Sequence, residues 1–510
     1  MLAGASTSMP HRALSVLCVL APSLARAEVR VPAIFGSHMV LQRELAVPIW
    51  GRAAPGEAVT VACAGVERST RADASGAWRV ELPPLAAGGP YTLSIRGANE
   101  LAFDDVLVGE VWLGSGQSNM HMPVSSCSDF AATRAAAELP RMRMFREDSL
   151  PASEPQFDCV GRWVVCSPET VGEFSGTLFF FGSELARDLD APIGLVDSSL
   201  GGTTIDRWIR ADAQLSSVEL CEHASEVDAE YRRFDIVGYL ASYWPEYERW
   251  LETCRAAALA GRAPPEKPRN GGEYLMRVGS VGHLFNSKIA PIAPFALRGV
   301  VWYQGENDVM RASAYRASLE LLVREWRACF GRDELWFAFV QLPNFAEGRS
   351  DADWPLVREA QRRATCVPRT GLVATIDLGE SSDIHPRNKR EVGARLARWA
   401  AHAVHGRASV ASGPEFVGWA READAAVLSF AHRDGGLVVR GDGLRGFELL
   451  DHAGAWHPAD ARVDSERVVV RSADVAEPRG VRYAWAADPP VTLFGSTGLP
   501  AVPFTSVELD

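Results

Sequence analysis

The stretch VWLGSGQSNM, Val111 to Met120, carries an apolar run into Gly114-Ser115-Gly116 and then Gln117-Ser118-Asn119. Two chemistries begin this way: a glycine-rich loop that cradles phosphate, and a turn that lifts a serine to the edge of a sheet. The dinucleotide fingerprint needs a third glycine where Asn119 stands, and a Walker loop needs a lysine before its hydroxyl residue. Neither is present, which leaves the nucleophile. A serine just past a strand, where a helix begins, has its own backbone N–H and the helix N-terminus facing any developing oxyanion. The bland alternative is that Ser118 only N-caps that helix.

A serine nucleophile needs a base. Of the 11 histidines, His385 stands out by context: it lies in DIHPRNK, just after the last apolar strand, with Asp383 two residues before and Pro386 opening a helical turn. A carboxylate that close can bond the far imidazole nitrogen, fix the tautomer and stabilise the imidazolium. His121, three residues after the serine, is the rival, but a turn of helix points it past Ser118. Two further clusters offer oxyanion donors. SSLGGT (Ser198 to Thr203) puts Gly201 and Gly202 where a bare backbone N–H can approach a carbonyl. WYQGEND (Trp302 to Asp308) supplies Gln304 as a neutral side-chain donor, with Glu306 and Asn307 behind it. Each cluster alone is more often a tight turn with a satisfied amide.

The elements that would position these residues follow from the apolar pattern. Residues 28–105 hold short strands bounded by Gly, Pro and Asn, such as AVPIWG and YTLSIRG, which predicts an N-terminal β-sandwich. Residues 106–406 alternate strands (VLVGEVWL, PIGLVDSS, LRGVVWYQ, LWFAFVQL, GLVATIDL) with helices (GTLFFFGSELARDL, SAYRASLELLVREWRACF, and one starting near Pro386). Near-continuously apolar strands separated by helices predict a parallel sheet covered on both faces. In such a sheet chemistry gathers beyond the carboxyl ends of the strands, and all four clusters fall there. Residues 211–280 interrupt the alternation as a helical and loop insertion. Residues 407–510 return to short strands, a C-terminal β module.

Bulk properties narrow the class. The chain has 510 residues, 47% hydrophobic and 23% charged, with net charge −12 and no basic block, so nucleic acid is not the partner. Residues 1–27 read as an export signal: His11-Arg12, an apolar run from Ala13 to Ala21, and Ala25-Arg26-Ala27 as cleavage site. An exported, periplasmic or secreted protein is expected, with no membrane span. Eight cysteines then remain in the mature chain, with Cys159–Cys166 and Cys221–Cys254 as local disulfide candidates and free thiols as the alternative. No C-x-x-C or H-E-x-x-H occurs, so neither a metal nor another cofactor is expected. The sequence sets no oligomeric state.

GQSNM, SSLGGT, VVWYQGEN and DIHPRNK, in this order, resemble the sialate O-acetylesterases and related carbohydrate acetylesterases of the SGNH hydrolase superfamily. HMVLQRE (His38 to Glu44), GLRGFELLD and GLPAVPF extend the resemblance over nearly the whole mature chain. It implies a three-layer α/β/α, flavodoxin-like catalytic domain and metal-independent removal of acetyl esters from sugars. By motif, Ser118 is the implied nucleophile and His385 the base. The implied oxyanion hole is the Ser118 N–H, a Gly201 or Gly202 N–H and the Gln304 amide, with Asn119, Glu306 and Asn307 in support. The superfamily's last block is Asp-x-x-His, whereas here it is Asp-x-His. Asp383 is the first choice for the acid, with Glu380, Asp377 and Glu306 as alternatives. The expected substrate is an acetylated carbohydrate, either an O-acetylated sialic acid or an acetylated xylan or other hemicellulose. Two rival readings are a carbohydrate-binding protein with an inert hydrolase core and a general SGNH lipase or esterase.

Overall fold

The computed structural model describes residues 28–268, 271–346, 353–408, 410–433 and 435–508; the expected export signal lies outside them. Seven strands form the central sheet: β1 (Glu100–Gly116), β2 (Leu139–Glu147), β3 (Gly161–Cys166), β4 (Ile193–Ser199), β5 (Gly299–Tyr303), β6 (Trp336–Val340) and β7 (Thr370–Val373). Their spatial order is β7-β6-β5-β1-β4-β2-β3, parallel except for β3, which runs antiparallel to β2. Gly116 pairs with Ser199 on one side and Tyr303 on the other. The serine, double-glycine and Gln-Gly-Glu-Asn clusters therefore leave the sheet at the same level.

Side chains alternate across β1 as a doubly covered sheet requires. Trp112 joins one core with helices α2 (Gly176–Leu189) and α8 (Lys389–Ala403). Val111 and Leu113 join the opposite core, with α6 (Ala312–Phe330) and α7 (Asp353–Arg363). Helices α2 and α8 approach so closely that a Cβ on Gly393 would stand 2.5 Å from Phe180. The sequence placed the start of α8 at Pro386. It begins instead at Lys389, because Asn388 caps it by accepting from the Glu391 N–H at 3.2 Å. Ser118 itself opens the one-turn α1 (Ser118–His121), with Gln117 at the cap position.

Two small sheets precede the central sheet, built from strands Val40–Gln42, Val47–Arg52, Ala58–Cys63, Val66–Arg71, Ala77–Leu82 and Gly88–Arg96. The first half of β1 belongs to them: Ile95 pairs with Leu101 and Leu93 with Phe103. β1 thus crosses position 105/106 without a break. The 211–280 segment folds into α3 (Cys221–Arg233), α4 (Ile236–Leu259) and α5 (Gly271–Val278), preceded by the single-turn Ala211–Leu215. The C-terminal module is a seven-stranded antiparallel sheet that includes β8 (Phe447–Leu450), β9 (Trp456–Asp464) and β10 (Gly480–Tyr483). Buried Arg358 of α7 fastens it to the central domain by donating to the Ala486 and Ala487 carbonyls, both at 2.7 Å. The two candidate disulfides do not form; all eight thiols are free. The Cys166 Sγ donates instead to the Ala137 carbonyl and the Cys221 Sγ to that of Val218. None of the described helices is long and apolar enough to cross a membrane.

Candidate active site

The serine turn is held by backbone alone. Gly116 has φ +131°, and a Cβ there would lie 2.1 Å from the Tyr303 carbonyl, so only glycine fits. That carbonyl accepts from the Gln117 N–H at 3.0 Å, which locks the turn against the end of β5. Ser118 follows, half-buried. The double-glycine loop presses on it: a Cβ on Gly201 would sit 3.4 Å from the Ser118 Cβ. Among the described residues, the N–H groups of Ser118, Gly201 and Gly202 have no acceptor in the protein. Three backbone donors of the serine and double-glycine turns are therefore not consumed by the fold.

The Gln-Gly-Glu-Asn loop divides its work by burial. Gln304, offered by the sequence as the side-chain oxyanion donor, is fully buried and its amide is committed. Its Nε2 donates to Gln117 Oε1 (3.1 Å), Thr203 O (3.0 Å) and Asp308 Oδ2 (2.5 Å), and its Oε1 accepts from the Tyr315 hydroxyl at 2.7 Å. It braces the three loops from behind, and no free amide N–H is left for a substrate. Asn307 is the half-buried side chain of that loop. Its Nδ2 donates to the Gly202 carbonyl at 2.6 Å and keeps a second N–H beside the double glycine. Arg277 of α5, which carries no motif in the sequence, donates to the Gly201 carbonyl and stays exposed.

The histidine loop is tied to the serine turn by Asn119. Its Nδ2 donates to the Ile384 carbonyl at 3.0 Å and to Glu306 Oε1 at 2.6 Å. Its Oδ1 accepts from Lys389 Nζ at 2.6 Å, and the same ammonium donates to the Pro386 carbonyl at 2.7 Å. The two residues flanking His385 are thus both anchored, directly or through one lysine, to the residue after Ser118. Lys389 is fully buried, and burial pulls its pKa down to about 8 against the opposing pull of nearby acidic groups, Cys127 and Glu306 first. His385 is half-buried beside this clasp. His121, the rival base, is engaged elsewhere. Its Nδ1 meets Ser199 Oγ at 3.3 Å and its Nε2 meets Arg146 Nη2 at 3.1 Å. Because Nε2 must accept from the guanidinium, Nδ1 carries the proton and the ring is neutral. Burial lowers its pKa in keeping with that state.

A family profile described as "Carbohydrate esterase, sialic acid-specific acetylesterase" matches residues 270–402. The sialate O-acetylesterase of Rattus norvegicus is 29% identical over 534 residues, with 94% of each chain covered. That of Homo sapiens is 28% identical, covering 94% of this chain and 93% of its own. The crystal structure of a carbohydrate acetylesterase from Xanthomonas citri superposes with a TM-score of 0.78 at 33% identity, over 94% of this chain and all of that one (100%). The chain belongs to the sialate O-acetylesterase family of carbohydrate esterases. Its activity is the removal of acetyl esters from carbohydrates.

In this acetylesterase the candidate carboxylates have different surroundings. Asp377 is held in a two-pronged ion pair with Arg395, at 2.7 and 2.8 Å. Glu380 is exposed and accepts from the Arg387 N–H at 3.2 Å. Asp383 bends back on its own loop, its Oδ1 accepting from the His385 backbone N–H at 2.8 Å. Glu306 lies fully buried, with one oxygen on Asn119 and Oε2 without a protein partner among the described residues. Burial raises its pKa; the Asn119 hydrogen bond and the charges on Lys389 and His385 oppose that. Asp308, also buried, is raised to about 6, chiefly by burial and against the Arg311 charge. The ring of His385 itself has no hydrogen bond among the described residues.

Proposed function

We propose that this acetylesterase works by acyl transfer through Ser118, with His385 as general base and Asp383 as the acid that steadies it. His385 takes the proton of Ser118 Oγ as that oxygen attacks the acetyl carbonyl. The N–H groups of Ser118 and of Gly201 or Gly202, with Asn307 Nδ2, hold the tetrahedral oxyanion. Collapse of that intermediate breaks the ester C–O bond, and the imidazolium returns its proton to the departing sugar hydroxyl. Water, activated by the same histidine, then attacks the acetyl-serine and releases acetate. The unspent N–H groups of Ser118, Gly201 and Gly202 carry this reading, because half-buried donors that the fold leaves without an acceptor are free to bind a developing oxyanion.

The substrate is an O-acetylated sugar, as the names of the relatives suggest: an O-acetylated sialic acid or, as the sequence resemblance implies, an acetylated xylan or other hemicellulose. Its site of action is outside the cytoplasm, as residues 1–27 suggest. The Ser118→Ala variant is expected to lose a factor of roughly 10³ or more in kcat and to escape labelling by a fluorophosphonate. Retained labelling, or a near-normal rate on 4-nitrophenyl acetate by a folded variant, would overturn the assignment. Acetate release from acetylated xylan, acetylated xylose and O-acetyl sialic acid then decides between the two sugars.

A further inference from the structure

The C-terminal module contains a cleft that the acetyl-transfer site does not use. It has a volume of about 880 Å³ and is formed by β8, β9, β10 and the segment after β10, with Leu356 of α7 on one wall. That volume falls within the range of sites that hold organic ligands. Trp456 at the start of β9 and Trp485 just past β10 are both half-buried. Between them lies Arg482, its guanidinium 4.4 Å from the Trp456 ring centre and 5.8 Å from that of Trp485. Glu448 of β8 fixes that guanidinium with two hydrogen bonds, at 2.7 and 3.1 Å.

Several polar groups of this cleft have no partner within the protein among the described residues. Arg421, Arg433, Arg462, Arg467, Arg471, Arg479 and Arg482 of the module are each ion-paired. The side chain of Arg445, on the cleft wall, has no partner among the described residues, and neither does Asp460 opposite. The indole N–H groups of half-buried Trp456 and Trp485 donate to no protein group among the described residues and are open to solvent or ligand. The floor is rigid, because the two carbonyls after Trp485 are the ones held by Arg358.

We propose that this cleft is a second carbohydrate-binding site, which takes a neutral pyranose chain. The C–H face of a pyranose stacks on an indole, while its vicinal hydroxyls need paired donors and acceptors in fixed geometry. The cleft supplies both: two tryptophans, and a planar guanidinium–carboxylate pair flanked by a free arginine and a free aspartate. Two cations and two anions balance, so a charged polymer gains nothing. Such a site would keep the chain bearing the esters attached to the enzyme between turnovers at Ser118.

The test uses the full-length Ser118→Ala protein, so that nothing is turned over, in native gels containing arabinoxylan, xyloglucan or glucomannan. Retarded migration in at least one of them is expected, weakened about tenfold or more in Trp485→Ala and Trp456→Ala. Asp460→Asn, a surface change that leaves the fold alone, is expected to weaken it as well. Thermal melts establish that the tryptophan variants are folded. Absence of retardation in every neutral glycan overturns the proposal, and so does retardation only by heparin or polysialic acid. Retardation unchanged in all three variants also overturns it, since binding would then lie at Ser118. None of these outcomes touches the esterase assignment, which rests on acetate release.

Discussion

Asn119 Nδ2 donates to the Ile384 carbonyl at 3.0 Å, so the residue after the serine holds the residue before the histidine. That bond joins two loops across 265 positions of sequence. Asn119→Ala keeps Ser118 and His385 but removes the tie, and also strips Lys389 of an acceptor. A misplacement of about 1 Å is enough to cost roughly 10²-fold. We expect kcat on 4-nitrophenyl acetate to fall by that order while KM moves little. A kcat within twofold of wild type would show that the tie is incidental.

The acid behind His385 is decided by a paired comparison. Asp383→Asn should cost on the order of 10³- to 10⁴-fold in kcat, as loss of a triad carboxylate does. Glu306→Gln should cost no more than about tenfold, because its oxygen on Asn119 is replaced by an amide oxygen of the same shape. Single-turnover rates of the two variants separate them. The reverse order would move the acid to Glu306.

Asn307 and Gln304 should fail in different ways. Asn307→Ala removes a donor at the oxyanion and should lower kcat by about 10²- to 10³-fold with the melting temperature nearly kept. Gln304→Ala strands the buried Asp308 and Gln117 oxygens and should instead lower stability by roughly 1–3 kcal/mol or more. Urea unfolding alongside kcat measurement distinguishes the two. Equal loss of rate with unchanged stability in both variants would restore Gln304 to the oxyanion.

Asp308 should leave a signature in stability against pH. Its folded pKa, about 6, lies above its ordinary 3.8 because burial penalises the anion. The folded state then binds this proton more tightly, so stability falls as pH rises from about 4 to about 6 and levels off above that. Asp308→Asn lacks the titration and should gain on wild type across the window by roughly 3 kcal/mol. Urea midpoints at pH 4, 5, 6 and 7 give the difference curve. A flat curve would mean that Arg311 and the Gln304 amide offset the burial.

Local motifs were legible where the chemistry is backbone chemistry. Ser118, Gly201, Gly202 and His385 each follow an apolar strand, and strand ends must share an edge in a parallel sheet. What escaped depends on which way a side chain faces. Gln304 and Asn307 are three residues apart in one loop; only the fold shows that the first is enclosed by Thr203, Asp308 and Tyr315 while the second stays accessible. Arg277 was hidden because it comes from a helical insertion whose docking has no periodic signal. Lys389 was visible as one of three lysines and as the end of DIHPRNK, yet nothing local says that its ammonium is buried. Helix α8 was found but started three residues early, because the Asn388 cap outweighs proline as a start signal.

The 17-residue strand β1 is one continuous piece of backbone, laddered to the N-terminal sheets in its first half and to β4 and β5 in its second. Ser118 stands two residues past its end. A chain trimmed to begin at Val106 would keep every reacting group and yet leave the lead-in to Ser118 with a frayed start, since Gly88–Arg96 would no longer flank it. The N-terminal module is therefore the anchorage of the serine, and a hinge between the two parts would have to break that strand.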